Sequence, residues 1–244
     1  MAKQNGNNRY NFSNKIVLVT GGTGALGSSI TKAFLESKAT VISSYHNDKE
    51  KIDKTQTDTT PTVQLIKANI TKEEEVKKLV SEVIDKYGHI DILVNVVGAF
   101  IGGKTVMELE EKEWDIMMNV NLKSAFLISK HVTKNMIASK YGKIVHISSK
   151  KGLHSEGCDS AYAASKSGLI RIVESLSEET KNSNININCI MPSIIDTQAN
   201  RKAMPNADFN KWVKPEDLAN VVLFLCSEEA KTITGAAIPT FGVA

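Results

Sequence analysis

The sequence predicts an α/β fold: a doubly wound, parallel sheet of about seven strands with helices on both faces, in three α/β/α layers. Short apolar runs alternate with helical patterns along the whole 244-residue chain. The runs are apolar throughout, which is typical of strands covered on both faces. No change in composition divides the chain. We therefore expect one domain over residues 13–244, after a polar, poorly ordered tail at 1–12.

Seven strands are predicted from apolar runs bounded by turn residues. The first, KIVLVT at 15–20, ends in glycines, and ATVISSY at 39–45 and TVQLIKAN at 62–69 follow it. Further runs predict strands at 89–98, 142–149, 184–192 and 236–240.

Helical spacing of apolar residues predicts helices between and after these strands. They are expected at 24–37, 71–87, 113–138, 161–181 and from Pro215 onward. Thr71 with Glu74 three residues later predicts a capping box at the start of the second helix. Pro215 suits the first turn of the last helix, because its missing N–H is unpaired there in any residue.

Composition excludes several classes of function. The 30 basic and 27 acidic residues give a net charge of +3, too balanced to indicate a nucleic-acid partner. No apolar run approaches the roughly 18 residues of a membrane span. The three cysteines are far apart and form neither a disulfide framework nor a metal-binding pair. We expect a cytoplasmic protein with no metal, nucleic-acid or membrane partner.

A glycine-rich turn follows the first predicted strand. The segment TGGTGALG at 20–27 contains Gly21, Gly24 and Gly27. Glycines let a backbone turn tightly and approach a pyrophosphate, and the following helix N-terminus supplies N–H groups and a positive dipole end. The position of the turn, between a strand and a helix, predicts a dinucleotide site.

A tyrosine and a lysine are predicted to share one face of a helix. Tyr162 and Lys166, in AYAASKSG, are four residues apart. A phenol has an ordinary pKa of about 10, and a neighbouring ammonium favours its ionised form. Ser148 and Ser149 end the preceding strand, at the edge of the sheet where ligands bind. These groups can exchange a proton with a carbonyl or alcohol oxygen.

These motifs together resemble the short-chain dehydrogenases/reductases. The resemblance extends from Lys15 to about Gly242 and includes TGGTGALG, NVVG at 95–98, the asparagine of NVNLKSAF, ISSKKG, YAASK and MPSIIDT. It implies a Rossmann-type fold and hydride transfer between a nicotinamide cofactor and a carbonyl or alcohol substrate. It also implies a homo-oligomer, a tetramer or a dimer.

The resemblance assigns four catalytic roles. Tyr162 would be the acid/base, and Lys166 would lower its pKa and hold the nicotinamide ribose. Ser149 lies 13 residues before Tyr162 and would bind the substrate oxygen. Asn121 would fix a water in the proton relay.

The same resemblance assigns a set of cofactor contacts. They are Gly21, Thr23, Gly24, Leu26, Gly27, Tyr45, His46, Asn69, Ile70, Asn95, Val96, Val97, Gly98, Tyr162, Lys166, Pro192, Ile195 and Thr197. Proteins that use NAD usually carry an acidic residue after the second strand. Here Tyr45 and His46 stand at that place, with Lys49 and Lys51 beyond them. The missing carboxylate favours NADP, and NAD remains the alternative.

The substrate is left open by the sequence. Candidate contacts are Phe100, Ser149, His154, Met204 and Trp212, under a lid at about 193–214. One branch of the family is the 3-oxoacyl-(acyl-carrier-protein) reductases and broad carbonyl reductases. Another is dihydropteridine reductase, which GGTGALGS, VVGAFIGGK and DTQANRKAMPNADFNKW resemble. Ser149 and Tyr45 argue against the second branch.

Two further alternatives concern charge and class. Five basic residues surround the expected pocket and suit either an anionic substrate or plain exposure to water: Lys150, Lys151, His154, Arg201 and Lys202. A non-catalytic NAD(P)-binding regulatory protein could share the fold. The complete Asn–Ser–Tyr–Lys set argues against such a protein, which needs no proton relay.

Overall fold

The computed structural model describes residues 9–46 and 63–243. Within these ranges it contains one parallel sheet of seven strands, in the order β3-β2-β1-β4-β5-β6-β7. The strands are β1 (Ile16–Thr20), β2 (Thr40–Tyr45), β3 (Gln64–Lys67), β4 (Ile92–Asn95), β5 (Gly142–Ile147), β6 (Ile185–Pro192) and β7 (Ala237–Thr240). The predicted α/β class and strand number are confirmed.

Helices connect the strands and cover both faces of the sheet. They are α1 (Ala25–Glu36), α2 (Glu73–Tyr87), α3 (Glu111–Met117), α4 (Ser124–Ser139), α5 (Ser160–Thr180), α6 (Gln198–Ala203) and α7 (Pro215–Cys226). One core packs α2, α4 and α5 against the sheet, and the other packs α1 and α7 against the opposite face. Apolar side chains of the central strands are buried on both sides, which explains their continuous hydrophobic runs.

The strand order reverses between β1 and β4. From β1 the chain first builds outward through β2 and β3, then returns and builds in the other direction through β4 to β7. In a doubly wound sheet this reversal leaves a crevice at the carboxyl ends of the two central strands. The glycine turn follows β1, and NVVG begins at the last residue of β4, so both motifs lie at that crevice.

Two predictions about helices are wrong: the capping box at the start of α2 and the uninterrupted helix at 113–138. The structure starts α2 at Glu73 without a side-chain cap, because Thr71 donates its N–H and hydroxyl to the side chain of Asn69, at 3.1 and 2.7 Å. The predicted helix at 113–138 is not uniform. A π-helical segment, Met118–Lys123, separates α3 from α4.

The amino-terminal segment packs onto the domain before β1. Phe12 is buried, and its ring lies 5.1 Å from that of Phe34 on α1, centroid to centroid. The Phe12 N–H donates to the carbonyl of Ser37 at 2.7 Å. Residues 1–8 of the expected tail lie outside the described residues. Phe12, the last residue of that expected tail, is packed onto the domain.

Candidate active site

A cavity of about 1170 Å³ opens at the carboxyl edge of the sheet. Its wall is formed mainly by the segments that follow the seven strands β1 to β7. It brings together most of the predicted site: Gly21, Gly24, Leu26, Gly27, Tyr45, His46, Asn69, Ile70, Val96, Val97, Gly98, Phe100, Ser149, His154, Tyr162, Lys166, Pro192, Ile195 and Met204.

Five predicted site residues, all within the described part of the chain, are not in its wall: Thr23, Asn95, Asn121, Thr197 and Trp212. Asn95 is buried behind the wall, where it accepts a hydrogen bond from Thr20 at 2.6 Å. Thr197 caps α6 by accepting the N–H of Asn200 at 3.1 Å.

Trp212, predicted as a substrate contact, lies outside the cavity wall in the structure. Its side chain is buried, and its ring packs against Phe209 with centroids 4.7 Å apart. The large apolar surface of the indole therefore packs within the segment at 193–214. Of the two substrate contacts predicted in that segment, Met204 lines the cavity.

The glycine turn leaves space for a phosphate group at the start of α1. Gly21 has φ +64°, a conformation that favours glycine. A Cβ on Gly27 would lie 2.1 Å from the carbonyl oxygen of Gly21, so no side chain fits there. Gly24 is the N-cap of α1 and no side chain caps that helix. The uncapped N-terminus and the dipole of α1 suit a pyrophosphate, and the residues therefore fit a dinucleotide.

Ser149, Tyr162 and Lys166 converge on the cavity from β5 and α5. Ser149 follows β5, and its hydroxyl accepts the N–H of Lys151 at 3.2 Å. The four-residue spacing on α5 places Tyr162 and Lys166 on one face, with the ammonium 5.9 Å from the phenol ring centroid. Lys166 is buried and donates to the carbonyl of Ile147 at 2.8 Å.

The charges around Tyr162 differ from the expected arrangement. Burial raises the pKa of Tyr162, while a hydrogen bond with Ser149 and the positive charge of Lys151 lower it. Burial also lowers the pKa of Lys166 to about 8. The cation that opposes the effect of burial on Tyr162 is therefore Lys151, a residue for which the sequence predicted no such role.

Asn121 is placed by the π-helical segment. Its side chain is buried and makes two bonds with Ala99, accepting the N–H at 2.9 Å and donating to the carbonyl at 3.0 Å. It also donates to the hydroxyl of Ser165 at 3.0 Å. A Cβ on Gly98 would lie 3.2 Å from both the Asn121 oxygen and the Lys166 ammonium. Asn121 thus joins the loop after β4 to α5, behind the part of the cavity wall that Gly98, Ala99 and Lys166 line.

The segment at 193–214, predicted to be a lid, is a loop whose two ends are joined at its base. Ile195 and Val213 form a parallel bridge at its base. The N–H of Asp196 donates to the carbonyl of Val213, and the N–H of Val213 to that of Ile194, both at 2.9 Å. Between these ends lie α6 and a short 3₁₀ turn at Phe209–Lys211.

Two of the basic residues predicted around the pocket are neutralised. Lys151 is bonded to Asp159 and lies 3.1 Å from a carboxylate oxygen of Glu156. The guanidinium of Arg201 binds both carboxylate oxygens of Asp196, at 2.6 and 2.7 Å. The rim is therefore less positive than the sequence suggests.

Comparison with known proteins agrees with this geometry. The family model for short chain dehydrogenases matches residues 15–208. A 3-oxoacyl-[acyl-carrier-protein] reductase from Thermotoga maritima is 33% identical over 235 residues, 92% of this chain and 95% of that protein. An NAD-dependent glycerol dehydrogenase from Listeria innocua is 33% identical over 236 residues, 93% and 92% of the two chains. The crystal structure of gox2181 superposes with a TM-score of 0.89 at 27% identity, covering 95% and 96%.

The chain belongs to the short-chain dehydrogenase family. It is therefore an oxidoreductase that transfers a hydride between a nicotinamide cofactor and a carbonyl or alcohol substrate. Across the described ranges, no helix of this short-chain dehydrogenase is long and apolar enough to cross a membrane.

The structure of this short-chain dehydrogenase adds wall residues that the sequence did not predict. The most informative are Leu153, Ile194, Asn200 and Phe241. Phe241 follows β7, and the carbonyl of Phe241 accepts the hydroxyl of Ser193 at 2.7 Å. No motif marks it, because its approach to the cavity depends on where the last strand joins the sheet.

Proposed function

We propose that this short-chain dehydrogenase interconverts a carbonyl compound and its alcohol, with Tyr162 as acid/base and NADP(H) as cofactor. The observation that carries the catalytic assignment is the junction of Ser149, Tyr162 and Lys166 in one cavity wall, with Asn121 behind it. The glycine turn would hold the pyrophosphate, and Lys166 the ribose next to the nicotinamide. When bound, the cofactor supplies or accepts the hydride.

The protein groups would hold the reacting oxygen and move its proton. Ser149 donates a hydrogen bond to the carbonyl oxygen and so orients it. Tyr162 donates its proton to the same oxygen as the alcohol forms, and takes the proton back in the reverse direction. Partial burial keeps Tyr162 protonated in the free enzyme, which suits reduction.

The catalytic assignment is tested by Tyr162→Phe. We expect turnover to fall by about 10²–10⁴-fold, the usual contribution of a positioned acid/base. Cofactor affinity, measured by fluorescence titration, should stay within about twofold of the wild type. Tyr141→Phe is the matched control, because Tyr141 bonds to Glu228 away from the cavity. Full activity of the Tyr162 variant would refute the assignment.

The preference for NADP rests on the end of β2. Tyr45 and His46 line the cavity next to Ser44, where a carboxylate would repel a 2′-phosphate. Lys49 and Lys51 lie outside the described residues. The Michaelis constant should be lower for NADPH than for NADH, and Tyr45→Asp should reverse this order. A wild-type enzyme that strongly prefers NADH would contradict the proposal.

Two narrower substrates follow from similarity. The relative from Thermotoga maritima is named as a 3-oxoacyl-[acyl-carrier-protein] reductase, and a second such reductase, from Chlamydia trachomatis, is 33% identical. A 3-oxoacyl thioester is thus one candidate substrate. A quinonoid dihydropterin is the other, because the predicted lid segment resembles that of dihydropteridine reductase. Optical measurement of nicotinamide oxidation with each compound separates these candidates. Absence of turnover with every carbonyl compound, despite tight cofactor binding, would favour a regulatory protein.

We also propose a cytoplasmic homo-oligomer, a dimer or a tetramer. Exposed apolar side chains lie on α3 and α4, at Trp114, Ile116, Phe126 and Ile137. Such surfaces commonly mark contacts between subunits. The three cysteines are unpaired, as is usual in a reducing compartment. A monomeric mass in light scattering would refute the oligomer.

A further inference from the structure

Four large apolar side chains in the cavity wall are left open to water. The exposed fractions are 61% for Phe100, 44% for Leu153, 38% for Ile194 and 37% for Met204. They come from three separate segments, after β4, after β5 and in the lid. Apolar groups gathered on one concave surface indicate that a ligand covers them, because such burial removes their contact with water.

Phe100 is the member of this group closest to the chemistry. Its ring meets the Tyr162 ring edge to face, with the centroids 4.9 Å apart and an interplanar angle of 86°. This is a favoured geometry for two aromatic rings. A Cβ on Gly102 would lie 2.4 Å from the Phe100 ring, so the glycine leaves the space that the ring occupies. Phe100 is therefore positioned beside the acid/base while most of its surface remains available.

Two lysines of the same wall already contact other groups of the protein. Lys151 is bound to Asp159 and Glu156, and the carboxylate of Glu156 itself lines the cavity. The ammonium of Lys150 lies 5.4 Å from the centroid of the Phe241 ring. An anionic substrate would have to compete with the carboxylates for Lys151, whereas an uncharged one would not.

We infer that the substrate of this site carries an uncharged, apolar group of roughly ring size next to its carbonyl, and that Phe100 binds this group. The inference rests on the proposed function, since it takes Tyr162 as the group that meets the carbonyl oxygen. Leu153, Ile194 and Met204 would enclose the rest of the apolar group.

Binding of two inert probes tests the inference without requiring turnover. Benzyl alcohol and 4-(hydroxymethyl)benzoate differ by one carboxylate, and each is titrated by calorimetry into the NADPH-saturated enzyme, in which an alcohol has no hydride acceptor. We expect benzyl alcohol to bind at least about tenfold more tightly, which corresponds to about 1.4 kcal/mol. Equal affinities, or tighter binding of the carboxylate, would overturn the inference.

Three variants identify the side chain responsible. Phe100→Ala should weaken benzyl alcohol binding by about tenfold. Met107→Ala, which removes an exposed apolar side chain outside the cavity wall, should have no effect. Lys150→Gln should also leave benzyl alcohol binding unchanged. The inference is wrong if Phe100→Ala binds benzyl alcohol as tightly as the wild type does. It is also wrong if 4-(hydroxymethyl)benzoate is the tighter probe and Lys150→Gln weakens its binding tenfold.

The two proposals fail in different ways. If Tyr162→Phe keeps full turnover, the proposed catalytic role is refuted whatever the probes do. If Tyr162→Phe is inactive but the charged probe binds more tightly, the function stands and the substrate class is refuted.

Discussion

Tyr162 occupies a site in which burial and charge act in opposite directions. Burial raises its pKa, and the hydrogen bond of Ser149 and the ammonium of Lys151 lower it. The carboxylate of Asp159 acts with burial. Lys151 is bonded directly to Asp159, so their opposite effects on the pKa of Tyr162 largely cancel. Lys151 alone would lower that pKa, and Asp159 alone would raise it.

The pH dependence of catalysis should therefore respond to Lys151. In Lys151→Gln the pKa of Tyr162 rises, because a positive charge is lost and Asp159 loses its partner. Carbonyl reduction, which needs the phenol, should persist to higher pH than in the wild type. Alcohol oxidation, which needs the phenolate, should begin only at higher pH. Profiles of kcat/KM in both directions measure this, with Lys150→Gln as the control. A shift to lower pH would contradict the argument.

The glycine turn gives a second comparison at single residues. Gly27→Ala places a Cβ 2.1 Å from the Gly21 carbonyl oxygen and 2.8 Å from the Cα of Gly22, both backbone atoms. Gly24→Ala meets its nearest atom at 3.4 Å. We expect Gly27→Ala to lower the free energy of unfolding by about 1–3 kcal/mol, the usual cost of overpacking, and Gly24→Ala to change it little. Urea denaturation without cofactor measures both, and equal losses would contradict the geometry.

At the scale of elements, the sequence predicts the regular strands and helices well and the irregular segments poorly. Apolar runs identified the central strands β1, β2, β4, β5 and β6 because these are buried along most or all of their length, and the same signal found the partly buried edge strands β3 and β7. Apolar periodicity predicted a uniform helix at 113–138, because apolar residues continue through Met118–Lys123. A π-helical segment changes the backbone hydrogen bonds without changing composition, so periodicity cannot detect it. The family motif identified Asn121, but no sequence pattern predicted its hydrogen bonds with Ala99 and Ser165.

The π-helical segment can be tested through the residue that it presents. Asn121→Ala removes three hydrogen bonds, two with the partly buried backbone of Ala99 and one with Ser165, which should cost about 2–4 kcal/mol of unfolding free energy. Turnover should also fall sharply. Asn135→Ala, on α4, is the matched control, because it removes one bond, to the N–H of Ile90 at 3.0 Å. It should cost about 1 kcal/mol and preserve turnover. Wild-type turnover in the Asn121 variant would refute its catalytic role.

At the scale of the whole molecule, the position of the site follows from the strand order. The glycine turn after the first strand and the serines after the fifth predict a site at one edge of the sheet, because all the parallel strands have their carboxyl ends at that edge. The ion pairs could not be predicted. Lys151 and Asp159, or Asp196 and Arg201, are close in the sequence, but only the folded loops determine which carboxylate each cation meets. For the same reason the sequence left open whether the rim is basic.

Stability in acid should depend on a buried histidine that joins several elements. His146, on β5, is fully buried between Asn95 on β4, at 3.2 Å, and Ser129 on α4, at 3.0 Å. Burial lowers its pKa from 6.5 to about 3. The unfolded chain therefore binds a proton that the folded protein does not, and the free energy of unfolding falls as pH drops from about 6.5 to about 3. Its contribution should be on the order of several kcal/mol.

Denaturation curves between pH 4 and pH 7 test this dependence. His146→Gln should be less stable than the wild type at neutral pH and should lose less stability in acid. His154→Gln, at an exposed position, serves as the control. An identical acid slope in wild type and His146→Gln would show that other groups cause the loss.

The bridge between Ile195 and Val213 joins the two ends of the intervening loop, so the loop can be exchanged as a unit. Because the bridge fixes both ends of the loop, the entropy of closing it depends mainly on loop length and little on which residues lie between them. Residues 196–212 could therefore be replaced by the corresponding segment of a relative without moving Ser149 or Tyr162. Among enzymes built on this frame, substrate preference can diverge by exchange of one surface loop while the catalytic groups are inherited unchanged.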